Sequence, residues 1–130
     1  MLRNLTKTFC FLSKNALLAL FLTNANLVSA QVNLPGSIFG RVVQDEQLPI
    51  EAATVILMNA KDSTIVKVEI GNKQGIFSFN SIKPGVYLIS ISSIGFVKSV
   101  SGPYQLNVGE GLKNIGQISL KIYSKTLQEV

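Results

Sequence analysis

The sequence predicts an all-β protein, with a β-sandwich over residues 37–122 behind an N-terminal leader. Apolar and polar residues alternate with a period of two from Ser37 onward, the pattern of strands with one buried face. Turn residues interrupt this pattern roughly every 8–12 residues, and a set of about seven short strands is typical of a sandwich. A parallel sheet would need crossover helices, for which the chain has no room, so we expect none.

The first half of the sandwich contains three predicted strands and the turns between them. The strands lie near 38–43, 53–57 and 64–70, and polar turns follow at 44–49 and 59–63. Alternate positions of the first two strands are expected to face the core, and these positions hold Ile38, Gly40, Val42, Ala53, Val55 and Leu57. The small residues Gly40 and Ala53 are expected to let the facing sheet approach closely.

The second half continues the same pattern after a glycine-containing turn at 71–75. Further turns are predicted at 83–85 and 109–111, and Gly95-Phe96 marks a bend. The expected inward residues alternate along four more strands, and they are Phe77, Phe79, Tyr87, Ile89, Ile91, Tyr104, Leu106, Val108, Ile118, Leu120 and Ile122.

Residues 1–30 have the three parts of a secretory signal peptide. The basic residues Arg3 and Lys7 open the segment, an apolar run follows at 16–22, and small residues at 28–30 predict cleavage after the last of them. The sequence therefore predicts an exported protein with a short linker at 31–36 before the sandwich.

An uncleaved membrane anchor is the alternative interpretation of the leader. A membrane-spanning helix needs about 20 consecutive, mostly apolar residues. Polar residues interrupt the leader instead, at Ser13, Lys14, Asn15, Asn24 and Asn26. We therefore favour a cleaved signal peptide, and we expect that the mature domain does not span a membrane.

The composition excludes several classes of protein. Of the 130 residues, 47% are hydrophobic and 15% are charged, so the chain has enough apolar surface to fold. The net charge of +5 falls to +2 beyond the leader, where nine basic and seven acidic residues are scattered without a basic stripe. We therefore expect no nucleic-acid partner. The single cysteine, Cys10, lies in the leader, so the mature domain has no disulfide.

The absence of histidine from the whole chain removes the commonest general base and zinc ligand. Ser-His-Asp and Cys-His arrangements are therefore impossible. Asp45 and Glu46 lack the spacing of a calcium loop, and solvated turn charges are the favoured interpretation. A serine–lysine pair stays open, because spacing alone does not exclude it. We predict a non-enzymatic domain without cofactor or metal, and its binding residues are unassigned.

An ordered series of motifs carries a family resemblance. In chain order the motifs are Ile38-x-Gly40-x-Val42, Leu48-Pro49-Ile50-Glu51-x-Ala53-x-Val55-x-Leu57, Gly75-x-Phe77-x-Phe79, Pro84-Gly85-x-Tyr87-x-Ile89 and Ile94-Gly95-Phe96. Together they resemble the carboxypeptidase regulatory-like domain, although Gly71-Asn72 stands where that family usually has Thr-Asp. The resemblance implies a seven-stranded, transthyretin-like (prealbumin-like) Greek-key sandwich without the peptidase's metal site.

The resemblance also implies a setting. Domains of this family commonly follow the signal peptide of outer-membrane β-barrel proteins, including TonB-dependent receptors. Asp62-Ser63 with Lys67 resembles that subgroup, and in the linker-like tail at 123–130 the last four residues resemble the segment leading to a receptor plug. The expectation is a periplasmic accessory or interaction domain at the outer membrane, which contacts a protein partner or a downstream plug and barrel.

A carbohydrate-binding module is the alternative function, because similar sandwiches bind sugars. Exposed aromatic side chains would stack on a glycan partner, and the candidates are Phe39, Phe96, Tyr104 and Tyr123. The chain has no tryptophan. A core role below the Gly95 bend is the favoured interpretation of Phe96.

Overall fold

The computed structural model describes residues 32–45 and 47–124 of the chain. The predicted signal peptide at 1–30 and most of the predicted tail at 123–130 lie outside these residues, so both stay predictions. Val32–Val130 form one compact unit. The clustered core residues all lie between Ile38 and Leu120, so this unit contains the core it needs to fold.

Eight strands and no helix make up the described part of the chain. The strands are β1 (Gly36–Gln44), β2 (Leu48–Pro49), β3 (Thr54–Asn59), β4 (Ile65–Ile70), β5 (Ile76–Ile82), β6 (Gly85–Ser92), β7 (Ser99–Leu106) and β8 (Leu112–Leu120). The predicted all-β sandwich is confirmed. The additional strand is β2, which has two residues and lies inside the predicted first turn.

The strands form two sheets around the core. In the first sheet β1 pairs antiparallel with β2 and β5 on one side and parallel with β8 on the other. In the second sheet the order is β4-β3-β6-β7, and all neighbours are antiparallel.

We expected no parallel pairing of strands, and this prediction is wrong for one pair, because β1 and β8 are parallel. Residues 37–44 of β1 lie beside residues 112–120 of β8 in parallel register. A parallel pair needs a long connection, usually a helix. Here the strands between β1 and β8 supply that connection, because the chain passes through the second sheet before it returns.

The core consists of alternate residues from both sheets, as the period-two pattern predicts. Phe77 and Phe79 are almost completely buried, and their rings meet edge to face with centroids 5.7 Å apart. Such pairs stabilise a core by about 0.5–1.5 kcal/mol beyond the area they bury. The other core residues are Ile38, Val42, Ile50, Ala53, Val55, Leu57, Ile82, Tyr87, Ile89, Ile91, Leu106, Ile118 and Leu120.

Gly40 lies on the inner face of β1, but the space beside it is filled by its own sheet. An added Cβ would lie 2.9 Å from Phe77 Cζ and 2.7 Å from Ile115 Cγ1. These residues belong to the neighbouring strands β5 and β8. The prediction that Gly40 admits the facing sheet is therefore wrong, and the glycine instead accommodates the ring of its cross-strand partner Phe77.

Two predicted inward residues near the C-terminal end face solvent instead. Val108 is 62% exposed because β7 ends at Leu106. Ile122 is 55% exposed and forms only an isolated bridge with Phe96 beyond the end of β8. The last core residue of the described chain is Leu120.

The predicted turn at 71–75 carries the chain from β4 in the second sheet to β5 in the first, and Asn72 holds it. The Asn72 side-chain oxygen accepts hydrogen bonds from the N–H groups of Gln74 and Ile76, at 3.0 and 2.9 Å. Gly75 has a φ of 74°, which glycine adopts without strain. Asparagine therefore supplies the turn chemistry at this departure from the family pattern, and β5 follows the turn.

Candidate interaction surface

The acidic residues of the turns have structural partners. Asp62 Oδ1 accepts hydrogen bonds from the Thr64 hydroxyl and N–H, at 2.8 and 3.1 Å, and these bonds lower the pKa of Asp62. Glu110 accepts the Asn107 N–H at 3.0 Å and pairs with Lys113 at 3.1 Å, which lowers the pKa of Glu110. Both carboxylates hold turns at the surface. The described residues contain no group of three or more potential metal-ligating side chains.

Ser90 and Lys67 do not form a serine–lysine pair. Ser90 is 2% exposed, and its hydroxyl has no hydrogen-bond partner among the described residues. Its neighbours in register are Ile56 and Val100, so no base lies beside it. The Lys67 ammonium donates instead to the Asn80 carbonyl in the other sheet. The geometry of these two residues gives no nucleophile.

An open cleft of about 380 Å³ lies at the end of the sandwich where β1 and β6 end. Glu51 is its one titratable lining residue among those described, so the cleft has no acid–base pair. Ile94, which is completely exposed, and Phe96 form part of its wall. This arrangement can contact a partner but does not supply catalytic groups.

The four aromatic candidates are not on one surface. Phe39 is half-buried on the outer face of the first sheet, whereas Phe96 and Tyr104 pack against the core. Tyr123 is the one exposed aromatic residue of the described chain, at 63%. A row of aromatic rings for stacking a sugar is therefore not formed by the described residues.

The outer face of the second sheet carries no charged side chain. Its exposed aliphatic residues Ile65, Val68, Ile70 and Val100 are between 52% and 66% exposed. Strand register identifies the full outer set, which is Thr54, Ile56, Met58, Ile65, Val68, Ile70, Val86, Leu88, Ser90, Ser92, Val100 and Gln105. We call these residues the uncharged face.

The outer face of the first sheet is polar in comparison. Ser37 donates a hydrogen bond to Asn80 at 3.1 Å, and Arg41 donates to the Gln74 carbonyl at 2.9 Å. Contiguous apolar surface on a small domain usually marks a contact site. The difference between the two faces makes the uncharged face the candidate interaction surface.

Sequence reasoning predicted β4 as a strand but did not identify its aliphatic residues as surface. Period two in β4 places Val68 and Ile70 on one side and Lys67 and Glu69 on the other. A half-buried strand usually turns its apolar side inward, and the register reverses this, because Lys67 and Glu69 lie opposite the buried residues of β3. The feature that reveals this exposed aliphatic surface is the pair of charged residues, Lys67 and Glu69, on the core side of β4. It is recognisable only once the register with β3 is known.

The fold and surface together define a small β-sandwich domain. The carboxypeptidase regulatory-like domain model matches residues 37–121, and the chain belongs to this family. The family resemblance in the sequence motifs is therefore confirmed. No curated protein sequence matches the chain.

Solved structures are similar to this fold at low sequence identity. BcpA, the major pilin subunit of Bacillus cereus, has a TM-score of 0.54 at 12% identity, covering 69% of this chain and 31% of the pilin. A chain of a type II cohesin–X-dockerin complex from Acetivibrio cellulolyticus has a TM-score of 0.51 at 14% identity, covering 67% of this chain and 58% of that one. Hydroxyquinol 1,2-dioxygenase from Pseudomonas putida has a TM-score of 0.53 at 9% identity, and the match covers 70% of this chain and 57% of the dioxygenase.

These similarities show the fold alone. The three proteins include a pilin, a cohesin–dockerin assembly and an enzyme, and the chain spans less than two thirds of each. Within residues 32–45 and 47–124, no helix has the length and apolarity of a membrane span.

Proposed function

We propose that the chain is a non-catalytic interaction domain at the periplasmic face of the outer membrane. It forms the N-terminal part of a TonB-dependent receptor or a related outer-membrane β-barrel protein. It contacts a protein partner or the downstream plug and barrel of the same polypeptide.

The uncharged face carries the interaction part of this proposal. Val100 lies on the edge strand β7 and is 57% exposed, with Ser90 of β6 beside it in register and Ile56 of β3 beyond Ser90. Covering exposed aliphatic surface stabilises a complex by roughly 25 cal/mol per Å² before the costs of association. Asp62 and Glu110 are held in turns, and the absence of histidine from the chain is consistent with a role in contact rather than catalysis.

The envelope setting is supported by the sequence outside the sandwich. Residues 1–30 have the charge, apolar run and small-residue end of a signal peptide. Asp62-Ser63 with Lys67, and the last four residues, resemble the barrel-associated members of the family. Export through a cleaved signal peptide is what an outer-membrane barrel protein requires.

The setting is tested by the reading frame beyond Val130 and by the mature N-terminus. A plug followed by segments of alternating hydrophobicity supports the receptor. A stop codon after Val130 would remove the receptor part of the proposal. N-terminal sequencing of envelope fractions is expected to begin at Gln31, and an intact Met1 would contradict export through a cleaved leader.

The contact surface is tested by a photo-crosslinking residue placed at Val100 in the full protein in intact cells. We expect a discrete adduct with one protein or with the downstream domain. The same probe at Ser78, on the polar outer face of the first sheet, is the matched control. Equal adducts from both positions, or none from Val100, would contradict the assignment of the uncharged face.

A further inference from the structure

β4 is the edge of the second sheet that contains no proline. Edge strands of monomeric proteins are usually protected by proline, by a bulge or by charged side chains, including charges directed inward. β7, the opposite edge, contains Pro103. β8 is interrupted at Gly116, which has a φ of 77° and whose N–H is bound by the Asn114 side chain at 2.8 Å.

The edge at β5 is also covered, and β4 supplies the cover. The Lys67 ammonium reaches across to the Asn80 carbonyl of β5. The pairing of β4 with β3 is irregular only near the start of β4. There the register shifts between Lys67, which lies opposite Leu57, and Ile65, which lies opposite Met58. The stretch from Lys67 to Ile70 is regular, and its protection is the pair of inward-directed charges Lys67 and Glu69.

The backbone groups of Val68 and Ile70 point away from β3. The Gly71 N–H donates to the Ala53 carbonyl at 2.9 Å, which fixes the phase of the antiparallel ladder. Because hydrogen-bonded and non-hydrogen-bonded pairs alternate, Glu69 and Lys67 bond to β3. The N–H and C=O groups of Val68 and Ile70 are then directed outward, where another strand could pair.

The charges of β4 are complementary to themselves. Lys67 and Glu69 flank Val68 on the core side of the strand. In an antiparallel pairing centred on Val68, Lys67 of the first copy lies opposite Glu69 of the second. Glu69 of the first copy likewise lies opposite Lys67 of the second, so the pairing forms two ion pairs. The one ion pair within the described residues joins Lys113 and Glu110, so Glu69 has no partner of this kind there.

We infer that β4 pairs antiparallel with β4 of a second copy of this chain, centred on Val68. The interface is isologous, as two-fold symmetry requires. It joins the two second sheets edge to edge and makes their uncharged faces continuous. Val66 of each copy lies opposite Ile70 of the partner. A single strand pair buries less than the roughly 1,200 Å² of a standard interface, so the dimer is weak and concentration-dependent.

The inference does not depend on the receptor setting and is tested on residues 32–130, the compact unit. Sedimentation equilibrium from about 10 µM to about 1 mM is expected to show a monomer–dimer equilibrium. Lys67→Glu and Glu69→Lys each replace both attractive pairs by repulsive ones. Each variant should weaken dimerisation by about tenfold or more. The matched control is Lys98→Glu, an exposed charge outside β4, which should dimerise like the original chain.

Mixing the two charge variants provides the decisive measurement. A Lys67→Glu copy opposite a Glu69→Lys copy regains both attractive pairs, so the mixture should form a heterodimer about tenfold or more tighter than the homodimer of either variant. The double variant should also dimerise by itself. Thermal unfolding of each variant confirms that it is folded.

Three results would overturn the inference. These are a monomer over the whole concentration range, single variants that dimerise like the original, and a mixture of folded variants that stays monomeric. A Val68→Pro variant is an independent check. Proline removes the outward N–H of residue 68, and this N–H makes no hydrogen bond to β3. It should be a folded monomer, and a dimer of unchanged strength would contradict pairing through β4.

Discussion

Replacing Gly40 with alanine should destabilise the sandwich, although alanine is ordinarily the better strand residue. The added Cβ would lie 2.7 Å from Ile115 Cγ1, 2.9 Å from Phe77 Cζ and 3.1 Å from the Gly116 carbonyl oxygen. The two side chains must move, and the carbonyl belongs to the backbone of the neighbouring strand β8. The site therefore has no room that a small rotation would open.

The magnitude follows from two opposed effects. Overpacking of a core typically costs about 1–3 kcal/mol. Removal of glycine from a strand recovers about 0.5–1 kcal/mol of backbone entropy. The centres of the two ranges differ by about 1 kcal/mol, so the free energy of unfolding should fall by about that amount, which lowers Tm by roughly 4–8 °C for a domain of this size.

Urea and thermal unfolding of residues 32–130 measure this loss. Gly111→Ala is the matched control, because nothing lies within 4 Å of its added Cβ. The control should be neutral or slightly stabilising. A Gly40→Ala midpoint equal to or above the original would refute the packing argument.

A double-mutant cycle identifies the side chain responsible. Phe77→Leu removes the ring atom nearest to the added Cβ, so Gly40→Ala should cost less in that background. The expected coupling is about 0.5 kcal/mol or more, the range for residues in contact. Strict additivity would mean that Phe77 yields to the methyl group without strain.

Other predictions concern single groups. Phe77→Ala should cost about 3–5 kcal/mol in urea unfolding, since the side chain is 2% exposed, and a near-neutral effect would contradict its inward packing. Tyr87→Phe should cost about 0.5–1.5 kcal/mol in thermal unfolding, because the hydroxyl donates to the Lys83 carbonyl at 2.6 Å. Burial raises the Tyr87 pKa above 10.0, so stability from the neutral phenol should be lost as pH rises through that pKa, as an absorbance-monitored alkaline titration would detect. The Asp62 and Glu110 pKa values are lowered from 3.8 and 4.5, so their contribution is present above those values and is lost as pH falls below them. In the Asp62→Asn, Glu110→Gln double variant, Tm should fall less as the pH is lowered. An unchanged fall of Tm with pH would mean that other groups cause it.

The sequence predicts the parts of this fold that depend on local alternation. Phe77 and Phe79 share a buried face because one residue separates them, and the same holds for Ile89 and Ile91. Asn72 could be placed in a turn because its side chain bonds nearby backbone groups. These features depend on residues close together in the chain.

The parts that the sequence does not predict depend on distant partners. β8 begins at Leu112, but its first half alternates weakly, and its parallel register with β1 is set by residues far away in the chain. Val43 occupies an outward position by alternation and is nevertheless 1% exposed. The side of β4 that faces the core is likewise determined by its register with β3, so the uncharged face could not be identified from the sequence.

The pairing of the first long strand with the last one determines how the domain responds to tension. The chain enters β1 at Gly36 and leaves β8 at Leu120, and since the strands are parallel these points lie at opposite ends of one ladder. A pull on both ends is directed along the strands, so the hydrogen bonds between them share the force at the same time. An antiparallel hairpin pulled at its two ends would open one bond after another. The order of strands therefore predicts that this sandwich resists a pull on its two ends better than a hairpin of the same length would.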